Sequence, residues 1–219
     1  MLKIENVETS NWRAAIRGMR NPLESWEKSD SIYGEYGRFV ADCNCKIGPN
    51  DLDLMKRLAN AGTDHSKYLR MITVSFDMTA PLYFWKEFDT YRIGVVRNSC
   101  STMHKIESRH LVIEDFSTEG LQSDDIALML VLIDRINKLI TLYKTSINNA
   151  EKLDIHRRIV KLLPDSFMQR ATITTNYQVL RSIRNSDRKT HKLLEWKVDF
   201  MNFIDSLPYS EELLLKEEK

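Results

Sequence analysis

Cysteine, glycine and proline are scarce in this chain, and neither sign of charge is in excess. The three cysteines, Cys43, Cys45 and Cys100, are odd in number, and two of them stand at C-x-C spacing. That is no disulfide framework, and no further ligand follows Cys45 at the spacing a zinc site needs. Free thiols in a reducing compartment are expected and no metal ligand is assigned, with metal binding as the lesser alternative. Seven glycines in 219 residues leave no Gly-rich phosphate loop, which argues against a Rossmann-type dinucleotide fold. A Gly-x-Ser-x-Gly elbow, a His-Glu-x-x-His helix and paired-cysteine metal signatures are missing too. The net charge of +1, from 32 basic and 31 acidic side chains, advertises neither nucleic acid nor an anionic membrane as partner. No apolar run is long enough to span a bilayer, since the stretch Ile126 to Ile133 is broken by Asp134 and Arg135. The opening residues Met1-Leu2-Lys3-Ile4-Glu5 lack the basic start and apolar stretch of a signal peptide, so a cytoplasmic protein is expected.

What is present is ordinary for a globular protein: 42% hydrophobic and 29% charged residues. A single domain spanning residues 1–219 is expected, of α+β class. Leu2 to Val7 alternates as a short strand. Asn11 is placed to cap a helix from Trp12 to Arg20 that Asn21-Pro22 ends. The stretch Ser29 to Asn50 reads as looser structure with a short helix near Phe39. Asn50 or Asp51 then opens a helix that stops at Gly62. From Leu69 to Met78, Ile72, Val74, Phe76 and Met78 alternate with Met71, Thr73, Ser75 and Asp77, the period of a half-buried strand. Ala80-Pro81 introduces an aromatic helix with Tyr83, Phe84, Trp85 and Phe88. His110 to Phe116 reads as a strand. Ser123-Asp124-Asp125 caps a helix to about Tyr143, and a basic amphipathic helix runs from Glu151 to Leu163, ended by Pro164. Two further helices are expected, Thr175 to Arg184 and Arg188 to Asp205, before an acidic, fraying tail.

The segment from Tyr91 to Lys105 mixes cations with small hydroxyl side chains. Arginine gives bidentate bonds to phosphate oxygens, while serine and asparagine fix orientation, so the segment suits an anionic ligand. A solvated loop stitched by ordinary hydrogen bonds has the same composition.

The run Phe76-x-x-x-Ala80-Pro81-x-Tyr83-Phe84-x-Lys86-Glu87-Phe88-x-x-x-Arg92-Ile93-Gly94 resembles the lead-in to the signature of the flavin-dependent thymidylate synthases. In that family a strand ending in Phe-x-x-x-Ala-Pro precedes an aromatic helix. Arg-His-Arg-x-x-Ser, Asn-Glu and Ser-x-Arg-Tyr then follow. Farther along, Leu163-Pro164, Asn176 and His191 stand at the spacings of the family's Leu-Pro, Asn and His-Ala-Gln-x-Glu, with Glu195 at the last position. His65 aligns with the Gly-His before the central strand. The likeness covers about residues 62 to 205.

The resemblance implies a central, mostly antiparallel sheet flanked by helices. It also implies FAD and deoxyuridine monophosphate (dUMP) bound across the subunits of a homotetramer. NADPH and methylenetetrahydrofolate are the implied co-substrates. Arg92 and Ser101 would be catalytic. His65, Arg92, Asn98, Asn176 and His191 would hold the flavin, and Arg97, Ser101, Arg184 and Arg188 the substrate. The departures fall on the site. The triplet reads Thr90-Tyr91-Arg92, the next serine is Val95, the glutamate is Ser99, and Arg-Tyr is Met103-His104. The phosphate arginine falls at Asp187 and a flavin-contacting histidine at Met71. Arg97, Lys105, Arg181, Arg184 and Arg188 remain as cations that could rebuild a phosphate clamp. Each candidate also has a plain alternative: Arg92 in a surface ion pair with Glu87 or Asp89, Asn176 as a helix cap, His191 satisfied by a neighbour. An inactive homologue keeping the scaffold is therefore the second expectation.

Overall fold

The computed structural model describes residues 1–33 and 45–216, without the side chains of Met103 and His104. The expected short helix near Phe39 and the thiol of Cys43 lie outside the described residues.

In chain order the elements are β1 (Lys3–Ser10), α1 (Trp12–Arg20), α2 (Pro49–Asn60), β2 (Thr73–Pro81), α3 (Leu82–Phe88), β3 (Val96–Ser99), α4 (Thr102–Lys105), α5 (Ser123–Thr145), α6 (Asn149–Leu162), β4 (Met168–Asn176), α7 (Tyr177–Arg184), α8 (Met201–Asp205) and α9 (Ser210–Leu213). The strands form one four-stranded sheet in the order β1-β2-β4-β3. Side-chain bonds running in opposite senses mark the β1/β2 and β2/β4 pairs as antiparallel. Ser10 meets Thr73 while Asn6 meets Asp77, and Ser75 meets Thr174 while Asp77 meets Thr172. The α+β architecture with a central antiparallel sheet is as the sequence led us to expect.

The chain groups into two compact units. The first comprises Leu2–Met78, Tyr91–Arg97 and Thr172–Lys219. In it Ile72, just before β2, and the alternating Val74, Phe76 and Met78 of β2 enter the core, all at most 1% exposed. Phe76 packs on Phe203 at 4.6 Å, and the rings continue through Phe200 to Trp196. Behind them Trp12 meets Tyr177 and Tyr209 edge-on. α1 and α2 are tied by a buried polar knot. The Asp51 carboxylate accepts from Arg20 Nε at 2.6 Å, from the hydroxyls of Ser29 and Ser31, and from the backbone of Asp30 and Ser31.

The second unit comprises Met1, Thr79–Thr90 and Asn98–Ala171. α5 and α6 pack as a hairpin through Ile133, Ile136, Leu139, Ile140, Ile155 and Ile159, over Ile106, Leu111 and Phe116. Asn137 brackets the backbone of Leu111, accepting from its N–H at 2.8 Å and donating to its carbonyl at 2.9 Å. Trp85 Nε1 donates to the carbonyls of Ala80 and Gln169, which fastens α3 to the strand ends.

Several expectations need correction. Asn11 precedes α1, but it sits at φ 72° and its side chain caps nothing. Gly48-Pro49 is the start of α2, with proline at a first-turn position where no N–H is required. β2 starts at Thr73 because Ser66–Arg70 forms a 3-10 turn. His110 to Phe116 is no strand: Ile113–Asp115 is a 3-10 turn, and Phe116 alone bridges Phe167. Thr175 opens no helix, because Met168–Asn176 is the interior strand β4. The span Arg188 to Asp205 is a 3-10 turn, a π-helix at Glu195–Phe200 and the short α8. In the tail after Pro208, Leu213 and Leu214 are fully buried, and residues 217–219, where fraying was expected, lie outside the described residues.

Candidate functional site

The segment that carries the altered triplet lies on the start of α7, within the first unit. β4 ends where Asn176 stops being a strand residue and becomes a cap, its side-chain oxygen accepting from the Val179 N–H at 3.1 Å. A Cβ built on Gly94 would sit 2.8 Å from Asn176 Nδ2 and 3.1 Å from Val179 Cγ2. Gly94 has φ +79°, so the chain passes over the α7 N-terminus where only glycine fits without strain. Arg92 is two residues away, exposed, and makes no ion pair or hydrogen bond among the described residues. The expected surface pair with Glu87 or Asp89 is not formed.

The same segment reaches the turn after α7. Arg188 Nε donates to the Tyr91 hydroxyl at 3.1 Å, and its guanidinium lies 4.8 Å from the centre of the Trp196 ring. Tyr91 and Trp196 are themselves 6.1 Å apart. His191 packs edge-on to Trp196, and its Nδ1 accepts from the Leu193 N–H at 3.1 Å. With Nδ1 an acceptor, the neutral ring carries its proton on Nε2, which gives the histidine a fixed donor. The π-helix at Glu195–Phe200 buries Glu195 and Trp196 beside these groups, a local widening frequent at functional sites. The structure therefore makes two groups, Gly94 with Asn176 and Tyr91 with Arg188, His191 and Trp196, linked by the segment from Tyr91 to Gly94; all are half-buried or buried apart from Gly94.

Other candidates stand elsewhere. His65 is exposed at the head of the Ser66–Arg70 turn. Arg97 is half-buried on β3. Arg184 forms a two-point ion pair with Asp205, at 2.6 and 3.0 Å. Arg181 is buried and donates to the Leu213 and Leu215 carbonyls and to Asn60, so it is structural. Asp187 is exposed in the turn that holds Arg188.

The second unit contributes a cleft of about 390 Å³ beside Ser101, lined also by Thr102, Lys105, Gln169 and Arg170, with Ile106, Leu111 and Phe167 as apolar floor. The Cys100 N–H donates to the Arg170 carbonyl at 2.8 Å, and Gln169 Nε2 donates to the Cys100 carbonyl, which fixes the hydroxyl-bearing turn. Cys100 is exposed. Arg109 at the rim is held by Asp115. Burial raises the Asp115 pKa, but bonds from Arg109 and from the Val112 N–H outweigh it and leave the carboxyl below its usual range. Asn98 is exposed on β3. Sequence reasoning missed Gln169 and Arg170, because β4 was not recognised, and it missed Trp196, a residue that reads as plain core. The glycine at 94, after an arginine and before a polar run, was the available signal for the close approach. Among the described residues no cluster of histidine, cysteine and acidic side chains could hold a metal ion. No described helix is long and apolar enough to cross a membrane.

No family model matches the sequence. No curated protein matches it either. Solved structures do. One is thymidylate synthase X from Helicobacter pylori with FAD and dUMP. It is 16% identical, with TM-score 0.67, and the match covers 98% of this chain and 97% of that one. Another, the flavin-dependent thymidylate synthase of the same organism complexed with FAD and dUMP, is 17% identical with TM-score 0.66, over 97% of each chain. The chain has the fold of a flavin-dependent thymidylate synthase.

Proposed function

We propose that this protein is a divergent flavin-dependent thymidylate synthase-like protein that binds FAD and a pyrimidine deoxynucleotide. The observation that carries the reading is the approach of Gly94 to Asn176, which brings the remnant of the triplet onto the residue that keeps the family's asparagine position. The match to structures holding FAD and dUMP over nearly the full chain supports it.

The residues present suit a flavin. Arg92 offers a guanidinium with no partner among the described residues, and Asn176 keeps its amide nitrogen on the side of Gly94. His191 offers an Nε2 donor, and Arg188 is braced by Tyr91 and Trp196. A bound FAD would supply the redox chemistry, and the protein side chains would bind and orient. Ser101, Thr102, Lys105 and Arg170 would hold the nucleotide phosphate by charge-assisted and hydroxyl bonds. Asn98, Arg97 and His65 belong to the same reading as further contacts. In an active enzyme the product would be the methylated nucleotide, with NADPH and methylenetetrahydrofolate as co-substrates, in a cytoplasmic homotetramer.

A second reading, an inactive homologue on the same scaffold, is favoured by Asp187 at the phosphate-arginine position and by the engagement of Arg184 with Asp205. The absorbance spectrum of the purified protein, followed by FAD titration, tests the first. A flavin peak, or saturable FAD binding, is expected, and a protein that stays colourless refutes it. Growth of a thymidine-requiring strain without thymidine then distinguishes an active from an inactive protein.

A further inference from the structure

The α5–α6 hairpin carries a second polar cleft that shares no residue with the clusters assigned to flavin and nucleotide. Its volume is about 570 Å³, within the range of small-molecule sites, and it is lined by Glu107, Tyr143, Asn149, Lys152, Leu153, His156 and Arg157. Asn149, Lys152 and His156 follow one another at spacings of three and four along α6 and share a face, with Leu153 and Arg157 on the adjoining row. We propose that this cleft is an anion site that takes the phosphoryl group of a small phosphorylated molecule.

Three features support that assignment. First, the histidine is fixed. Glu107 is 8% exposed, and a buried carboxylate demands a partner, which it finds in His156 Nδ1. That contact commits Nδ1 and leaves Nε2 as the ring nitrogen available to a ligand. A phosphate can give its own hydroxyl to a neutral Nε2 or accept from a protonated one, so the pairing holds in either state. Second, two cations flank it with no carboxylate of their own. Lys152 Nζ rests 5.6 Å from the centre of the Tyr143 ring, and Arg157 is exposed without an ion pair among the described residues. With Glu107 the only acid in the lining, the cleft is net positive even when His156 is neutral. Third, Asn149 is the first residue of α6, so one end of the cleft meets the positive end of a 14-residue helix. A purely structural role accounts for the His156–Glu107 pair. It leaves unexplained why Lys152 and Arg157 line the same hollow without acidic partners.

The test uses the full chain in phosphate-free buffer with labelled histidine. There are five histidines, and the His156 ring signal is assigned by its absence in His156→Gln. Titration with inorganic phosphate should shift that signal saturably. Lys152→Ala and Arg157→Ala, both changes at the helix surface, should each weaken binding about tenfold, as loss of a charge-assisted bond implies. Unchanged amide spectra verify that these variants fold. A second titration with dUMP should move the same signal at comparable or lower concentration, which separates a phosphorylated molecule from the free ion. A shift that never saturates, or that both variants leave intact, means an adventitious ion only and overturns the proposal. A dUMP titration that leaves the His156 signal unmoved overturns the assignment to a phosphorylated molecule. Neither result bears on flavin binding, which is read from colour.

Discussion

Arg188 donates through Nε to the Tyr91 hydroxyl at 3.1 Å, and so joins the segment after α3 to the turn after α7. By the sequence resemblance, Tyr91 aligns with the histidine of the Arg-His-Arg triplet, so this bond is made at a position where the chain departs from that pattern. Tyr91→Phe keeps the ring beside Trp196 and removes only the acceptor. The expected loss is about 1 kcal/mol of stability, the net worth of one hydrogen bond. Urea unfolding measures it, and a midpoint equal to that of the parent would show that the bond contributes nothing.

Gly94→Ala should be destabilising by two separable amounts. A non-glycine residue at φ +79° costs on the order of 1–3 kcal/mol in backbone strain. The added methyl also meets Asn176 Nδ2 at 2.8 Å, a contact that must be relieved by moving the cap of α7. Gly120 has a similar φ of +82° with nothing within 4 Å, so Gly120→Ala reports the strain alone. The excess loss in Gly94→Ala over Gly120→Ala then measures the close approach. Equal losses would mean that the two segments do not press on each other.

How much of this was legible beforehand differs from element to element. β2 could be read because its alternation is strict, with Ile72, Val74, Phe76 and Met78 all pointing to the core. β4, its neighbour, was not, because its inward residues Ala171, Ile173 and Thr175 include only one large hydrophobe. Threonine serves a strand's buried and open faces alike, so the period is blurred. The start of α7 was misjudged by two residues for the same reason. Asn176 and His191 were singled out by spacing, and what the structure shows of each is its plain alternative, a cap and a ring satisfied by a neighbour. The Arg184–Asp205 pair joins residues 21 positions apart, on elements whose geometry a linear pattern does not contain.

Asp51 should set part of the acid stability limit. Burial raises its pKa, but bonds from Ser31, Ser29 and Arg20 together outweigh that and hold it below the ordinary 3.8. A carboxyl depressed in the folded state stabilises fully above its unfolded pKa, and that stability is lost as pH falls through the folded value. Unfolding free energy should therefore decline as pH drops below about 3.8, with Asp115, also depressed, adding to the slope. Asp51→Asn leaves the Arg20 guanidinium buried without its counter-charge, since both side chains are at most 4% exposed. About 3–5 kcal/mol should be lost at neutral pH, and the acid slope should flatten. A variant that unfolds along the parental pH profile would remove Asp51 from the account.

The last turn of the chain should be indispensable, although it reads as an acidic tail. Arg181 is 4% exposed, and the chain end supplies it with two acceptors, the carbonyls of Leu213 and Leu215. Asn60 on α2 supplies another at 2.7 Å. Tyr209 accepts from the Ile47 N–H at 3.0 Å and packs on Trp12, while Leu213 and Leu214 are fully buried. Ending the chain after Pro208 would strip the guanidinium of those carbonyls and remove two buried leucines at once. Burial of one such side chain is worth about 1.5–3 kcal/mol, and an orphaned buried donor costs a further 1–3 kcal/mol. The sum is a large fraction of what a domain of this size possesses, so the truncated chain should unfold at much lower urea concentration or fail to fold. Arg181→Met within the full chain keeps the leucines and replaces the cation by an apolar side chain of similar length. It should recover most of that loss if the leucines dominate, and little of it if the bonds to the Leu213 and Leu215 carbonyls do.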